Sequence, residues 1–286
     1  MLRLVDVLMT VSSLFLIAEK KMFISIQNRI IFLLIAFTLL PFVILKITAF
    51  PKVESDVEKM QILHLDSVGS KQAMLVSNWM RERMKDVLVL SDNPYMINSV
   101  NLTKNDKEYA ETLRYLKLVV VEYGYMGAFV CNDKGLVTIA TINESVGRDL
   151  AEKDFFKHSI QGQTFASSIV PSEVPLVNEL DEREIGVPTM FVTTPLKNKN
   201  NDIVGVVVLR VHVGELSNMV CSLMFGKTGE SYLVNEEGYM ISESRFSDRL
   251  KEKGVVEKRC SLELKVTDPE TGELTHGVAQ CISGKN

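Results

Sequence analysis

The run IIFLLIAFTLLPFVIL, Ile30 to Leu45, carries no charged side chain, and after Lys46 it resumes as ITAF. Together the two pieces supply the ~20 apolar residues that a bilayer-spanning helix requires. Pro41 is tolerable inside such a helix, and Lys46 near its far end can extend to the interface. The stretch therefore predicts a transmembrane helix over 30–50. Lys20, Lys21 and Arg29 precede it, whereas Lys46 and Lys52 beyond it mix with Glu54, Asp56 and Glu58. That basic excess places residues 1–29 in the cytoplasm and everything after residue 50 outside. A cleaved signal peptide is the competing reading. The length of the apolar core, with no small-x-small site after it, favours an uncleaved anchor. Residues 4–18, LVDVLMTVSSLFLIA, are apolar but short and interrupted by Asp6. They read either as an amphipathic preface or as the product of an early start codon, with Met22 opening a conventional anchor.

Composition excludes several classes. The chain of 286 residues is 46% hydrophobic and 24% charged, with a net charge of −4. It has no Lys/Arg run interleaved with aromatics, so no nucleic-acid partner is expected. The four cysteines, Cys131, Cys221, Cys260 and Cys281, form no C-x-x-C pair. They read as isolated thiols, with a Cys260–Cys281 bridge the alternative in an oxidising compartment. The four histidines have no metal-ligand spacing, and neither a metal nor a cofactor is expected. GKTGES, Gly226 to Ser231, has the look of a phosphate-binding loop, but Cys221 stands where the first glycine belongs. The following SYLVN reads as a strand where that loop demands a helix.

From Val53 to Leu90 there is no proline, and Val76, Met80, Met84, Val87 and Leu90 recur three or four apart. This predicts an amphipathic helix of about ten turns, with Trp79 as a core anchor beside the stripe and Pro94 just after its end. A second helix is expected over Asp106 to Val121. The period then changes. MGAFVCNDKGLVTIAT, Met126 to Thr141, places two apolar runs around Asn132–Gly135, and SYLVNEEGYMISES repeats the plan around Asn235–Gly238. In both, Asn opens the turn and Gly closes it where positive φ is cheap. One fixed offset between two such turns suggests two similar modules in tandem. VPTMFVTTPL (187–196) and DIVGVVVLRVHV (202–213) read as two further strands joined by KNKNN, and GELSNMVCSL as a linking helix. The expected class is α+β: an antiparallel sheet with helices on one side.

These elements, in this order, resemble the double Cache family of bacterial extracytoplasmic sensor domains, found on chemoreceptors and sensor histidine kinases. GKTGESYLVNEEGYMISESRF is similar to that family's second-module signature. VGRDLAEKDFFKHSIQGQ (146–163) is similar to its charged and paired-aromatic loop, and GVPTMFVTTPL with IVGVVVLRVHVGEL to its paired strands. The resemblance covers the chain from about Val53 onward. It implies a transmembrane helix over 30–50, a long membrane-to-sensor helix over 51–93, a membrane-distal module over 94–222 and a partial membrane-proximal module over 223–286. The chain ends at ISGKN partway through the second module, as a fragment or truncated product would.

The resemblance also implies a site. In amino-acid-sensing members an Arg, a Trp and a Tyr of the loop hold the ligand's carboxylate. The matching positions here are Lys153, Phe155 and Phe156, with Arg148 where an upstream Tyr would sit. Asp181 is the candidate for a downstream Asp that meets the ligand's amine. These departures point to a cationic, aromatic-floored pocket between the central sheet and residues 146–163. Arg148 offers a planar fork and Lys153 a point charge. Phe155, Phe156, Tyr125 and Phe191 are the expected apolar walls. Thr193 and Thr194 alternate along a strand, so only one can face the pocket, and Thr193 is the expected one. The expected function is small-molecule sensing by a bacterial inner-membrane receptor, with a carboxylate ligand and a homodimer formed through the long helix. No nucleophile–base pairing is visible, so no enzymatic role is expected. The alternatives are the ectodomain of a membrane-anchored enzyme such as a nucleotide cyclase, or an adhesive or structural ectodomain.

Overall fold

The computed structural model describes residues 26–178, 181–221 and 229–284. Two compact units divide it, one ending at Gly69 and the other beginning at Ser70. In the first, the described residues are all helical: they belong to α1, Ile26–Ser91, which carries Pro41 and Pro51 in its interior. Its apolar side chains stand exposed, with Phe37 at 80% and Phe42 at 71%. This is one helix long and apolar enough to cross a membrane. The sequence reading set a membrane helix over 30–50 directly against a long helix over 51–93; one helix runs through both stretches. Residues 1–25, with Lys20, Lys21, Asp6 and Met22, lie outside the described residues, as do Gly226–Thr228 of GKTGES.

The second unit is built on an antiparallel sheet. α1 stops at Ser91, and Pro94 opens the short α2, Pro94–Ser99, whose first turn is capped by Asn93 Oδ1 accepting from Tyr95 N at 2.9 Å. Proline suits that position because its missing N–H would have no helical partner there. α3, Lys107–Glu122, leads into β1, Gly127–Asn132, and β2, Val137–Ala140. After α4, Asp154–Ile160, come the short strands β3 (Phe165–Ala166), β4 (Val170–Pro171), β5 (Leu176–Val177) and β6 (Arg183–Glu184). The long strands β7, Pro188–Lys197, and β8, Ile203–His212, follow, and α5, Gly214–Cys221, closes this part. The sheet runs β2-β1-β8-β7-β3, with β4 also on β7; β5 and β6 pair separately.

Period-two alternation decides what each face buries. Ala128, Val130, Met190, Val192, Val207, Leu209 and Val211 join Trp79, Val87, Leu90 and Leu116 of the helices in one core. Phe129, Cys131, Val206 and Val208 point the other way, against Leu150, Phe155 and Phe156. Helices were expected on one side only. In fact α4 and the segment before it cover the second face, which is why β1 and β8 read as almost uninterrupted apolar runs.

One turn recurs. Asn132 Oδ1 accepts from the N–H groups of Lys134 and Leu136, and Asn235 Oδ1 from those of Glu237 and Tyr239. Gly135 and Gly238 close these turns at φ of 84° and 86°. Asn198 repeats the pattern toward Asn200 and Asp202, with Asn201 at φ 67°. Around Asn235 the flanking residues form isolated bridges, Val234 with Met240 and Tyr239 with Lys265, instead of the strands the sequence suggested. A lone two-stranded pairing is marginal, and here Met240, Val256 and Cys260 make a small core of their own. The four cysteines are free, with Cys260 buried and Cys281 exposed, so the bridge between them is absent. Burial pushes the Cys131 thiol up to about 12.

The turn offers a direct test. A Cβ on Gly135 would lie 2.6 Å from the Ala151 nitrogen, whereas Gly254, at φ 68°, has nothing within 4 Å. Gly254→Ala is expected to cost about 1 kcal/mol from backbone strain alone. Gly135→Ala adds a backbone clash and is expected to cost ~2–4 kcal/mol. Thermal unfolding of the full chain reads the difference, and equal losses would contradict the tight seating of the first turn on Ala151.

Candidate functional site

Between the second face of the sheet and the segment 145–173 lies a cavity of about 430 Å³. Its floor is aromatic. Phe191 of β7 stacks on Phe155 of α4 with ring centroids 4.6 Å apart and meets the edge of Phe129 at 6.1 Å. Phe155 comes to this place because α4 turns its Phe155, Phe156 and Ser159 inward against the sheet. Such stacked and edge-on pairs are the preferred arrangements of aromatic rings.

Three cations line the same cavity: Arg148, Lys153 and Arg210. Arg148 lies in the segment that the bridge between Leu136 and Asp149 ties to the first turn, and Lys153 is the N-cap of α4. Both reach Glu173: Arg148 Nη2 donates to one carboxylate oxygen and Lys153 Nζ to the other. The hydrogen bond from Lys153, opposed by partial burial, holds the Glu173 carboxyl below the usual carboxylate range.

Arg210 is different in kind. It sits on β8 directly across from Phe191 in the ladder, and its guanidinium lies 4.8 Å over that ring. Only 4% of the residue is exposed. Among the described residues, four buried side-chain polar atoms have no hydrogen-bond partner: Arg83 Nε, Ser145 Oγ, Arg210 Nε and Arg210 Nη1. Three of these four belong to residues that line this one cavity. Burial, and then repulsion from Arg148, pull the Arg210 pKa down to about 10, with Glu173 partly offsetting them. The group stays charged at neutral pH. A buried charge without a partner is costly, and the arrangement suits a place where an anion arrives from solution.

Of the residues singled out in the sequence, Arg148, Lys153, Phe155 and Phe191 come together here. The others stand elsewhere. Phe156 is buried in the core beneath α4. Thr193 does point to the cavity face, but it is fully covered: its hydroxyl meets Ser159 Oγ at 2.6 Å and reaches the Phe155 carbonyl. Asp181 closes an Asn178-opened turn between β5 and β6 at φ 60°, outside the cavity. Tyr125 belongs to the opposite face. Its hydroxyl donates to Asp86 Oδ2 at 2.5 Å, and Arg83 lies 5.5 Å over its ring and 5.6 Å over that of Trp79. Trp79 Nε1 in turn donates to Glu215 Oε2 of α5 at 2.9 Å. Arg210 was missed, although a lone charge at an inward position of VVVLRVHV was the signal available.

No protein-family model matches the chain, and no curated protein matches it. Among solved structures it is similar to Cache-type sensor domains. One is the sensor domain of the V. cholerae histidine kinase DctB, at 14% identity and a TM-score of 0.45, over 64% of this chain and 67% of that one. Another is the ligand-binding domain of the Pseudomonas aeruginosa PAO1 amino-acid chemoreceptor PctC, in complex with GABA. It has 17% identity and a TM-score of 0.45, over 68% of this chain and 79% of that one. A third is the E. coli DcuS sensor domain, at 13% identity and a TM-score of 0.37, over 49% of this chain and 92% of that one.

A buried, unpartnered cation predicts a specific trade. Arg210→Met keeps the stem's volume and removes the charge, so the ligand-free full chain is expected to gain about 1–3 kcal/mol. Its thermal midpoint should rise by several degrees, and a drop would mean that Arg210 is satisfied in the folded protein.

Proposed function

We propose that the chain is the ligand-sensing region of a transmembrane receptor, of the chemoreceptor or sensor-histidine-kinase kind, and that its ligand is a small carboxylate. The observation that carries this reading is the gathering of Arg210 Nε, Arg210 Nη1 and Ser145 Oγ, all buried and unpartnered, around one aromatic-floored cavity. A carboxylate accepts charge-assisted hydrogen bonds from a guanidinium, while Phe129, Phe155 and Phe191 supply apolar surface for its carbon chain. The basic residues before the apolar helix and the mixed charges after it support a cytoplasmic N-terminus and a sensing region outside the cytoplasm. Val53, Val57, Met60 and Leu63 stand exposed at three- and four-residue spacing on α1, which supports a second copy of the chain as a partner of that helix.

Sensing needs more than binding, because a ligand shifts an equilibrium only if it prefers one arrangement. A carboxylate on Arg210 acts on β8 and β7 from one face. From the other face the same strands hold Trp79, Val87 and Leu90 of α1 through Val192, Leu209 and Val211. A small shift of either strand is thereby offered to the helix.

The test is thermal stability of the full chain in detergent with a panel of small carboxylates. A ligand at a hundred times its Kd should add about 2.7 kcal/mol, and Arg210→Met should abolish the gain while remaining folded. Equal gains in both proteins, or none in either, would count against the carboxylate reading. Turnover of the added compound, followed by NMR, would favour the membrane-anchored enzyme instead.

A further inference from the structure

Glu173 places a carboxylate of the protein itself at the rim of the cavity, on Arg148 and Lys153. It pairs with these two cations and makes no hydrogen bond to Arg210 Nε or Nη1. Its backbone is fixed on both sides. Ser172 N donates to the Val187 carbonyl, and the Ser172 hydroxyl accepts the N–H groups of Gly186 and Val187, each at 3.1 Å. Val174 on the other side is buried. Freedom therefore resides in the Glu173 side chain, which is 47% exposed. Ion pairs open to water are weak and exchange readily, so this carboxylate can turn outward without unfolding its segment. The other acid in the cavity lining, Asp154, is exposed on α4 and has no cation of the lining as a partner among the described bonds.

We infer that Glu173 is an internal counter-carboxylate that sets which ligand charge the cavity accepts. The inference rests on the reading of the cavity as a carboxylate site. A ligand with one negative group is received by Arg210 while Glu173 stays in place. A ligand with two must turn Glu173 out to solvent and take over Arg148 and Lys153. The wild-type chain thus holds dianions below the affinity its three cations would otherwise give. The opposite role is a different prediction: a Glu173 that receives a ligand's ammonium group would be needed by zwitterions, and its loss would weaken them.

The experiment is calorimetric titration of the full chain in detergent, wild type and Glu173→Gln, with butyrate, succinate and alanine as probes. The succinate-to-butyrate affinity ratio is expected to rise about tenfold or more in the variant, with alanine not weakened. Glu173→Asp keeps the charge on a shorter stem and is expected to fall between the two; far-UV circular dichroism confirms that each variant is folded. An unchanged or lower ratio, or a loss of alanine binding on Glu173→Gln, overturns the inference and leaves the carboxylate reading standing. Binding of succinate by the variant alone supports it. No binding of any probe to either protein overturns the carboxylate reading, and this inference with it.

Discussion

A sheet covered on both faces leaves no room on its central strands for an unpaired charge, and most of this molecule obeys that constraint. β1 and β8 lie between the helices α1 to α3 on one side and α4 with its preceding segment on the other. Their residues are therefore apolar at nearly every position, whichever way they point. Arg210 is the exception. It stands on β8, opposite Phe191, with 4% of its surface exposed. Burying a guanidinium without acceptors costs several kcal/mol in a low-dielectric interior. A sequence that keeps such a residue in a strand of valines gives up stability at that point, and sites that do so are commonly functional.

The surroundings of Arg210 suit an anion with a hydrocarbon portion. Four phenylalanines line the cavity, Ser145 adds a free hydroxyl, and Arg148 and Lys153 stand at the rim paired with Glu173. The arrangement has an inner charge with two nitrogens that find no protein acceptor and an outer pair that is already satisfied. Affinity is expected to come chiefly from the inner charge, where desolvation makes a hydrogen-bonded ion pair strong. Discrimination is expected to come from the outer pair, where displacing an existing carboxylate is required.

Much of the fold was legible in the sequence because it follows from periodicity and turn chemistry. The long strands of 187–196 and 202–213, the helices after Asp106 and Gly214, and the turns at Asn132 and Asn235 all announce themselves locally. The turns are legible because Asn supplies the side-chain acceptor and Gly the positive φ, and neither depends on distant contacts. The weak pairing around Asn235 was hidden, because strand-like residues form strands only where a neighbour extends the ladder.

The site divides in the same way. Arg148, Lys153, Phe155 and Phe191 could be gathered from family resemblance, but Tyr125 and Asp181 could not be placed without tertiary contacts. Tyr125 lies in the strand-leading stretch yet faces α1, where Asp86 and Arg83 satisfy it. Asp181 is held by the turn it closes. Arg210 carries the signal that sequence reasoning had and did not use: one charge in an apolar strand, in step with Val206 and Val208. The most direct test of the central claim is a crystal of the protein grown with 3-bromopropionate, in which bromine marks the ligand by anomalous scattering. The account predicts a bromine peak inside the cavity against Phe155 and Phe191, with the carboxylate within ~3 Å of an Arg210 guanidinium nitrogen. A peak elsewhere, with Arg210 hydrogen-bonded to acceptors of the protein itself, would contradict it.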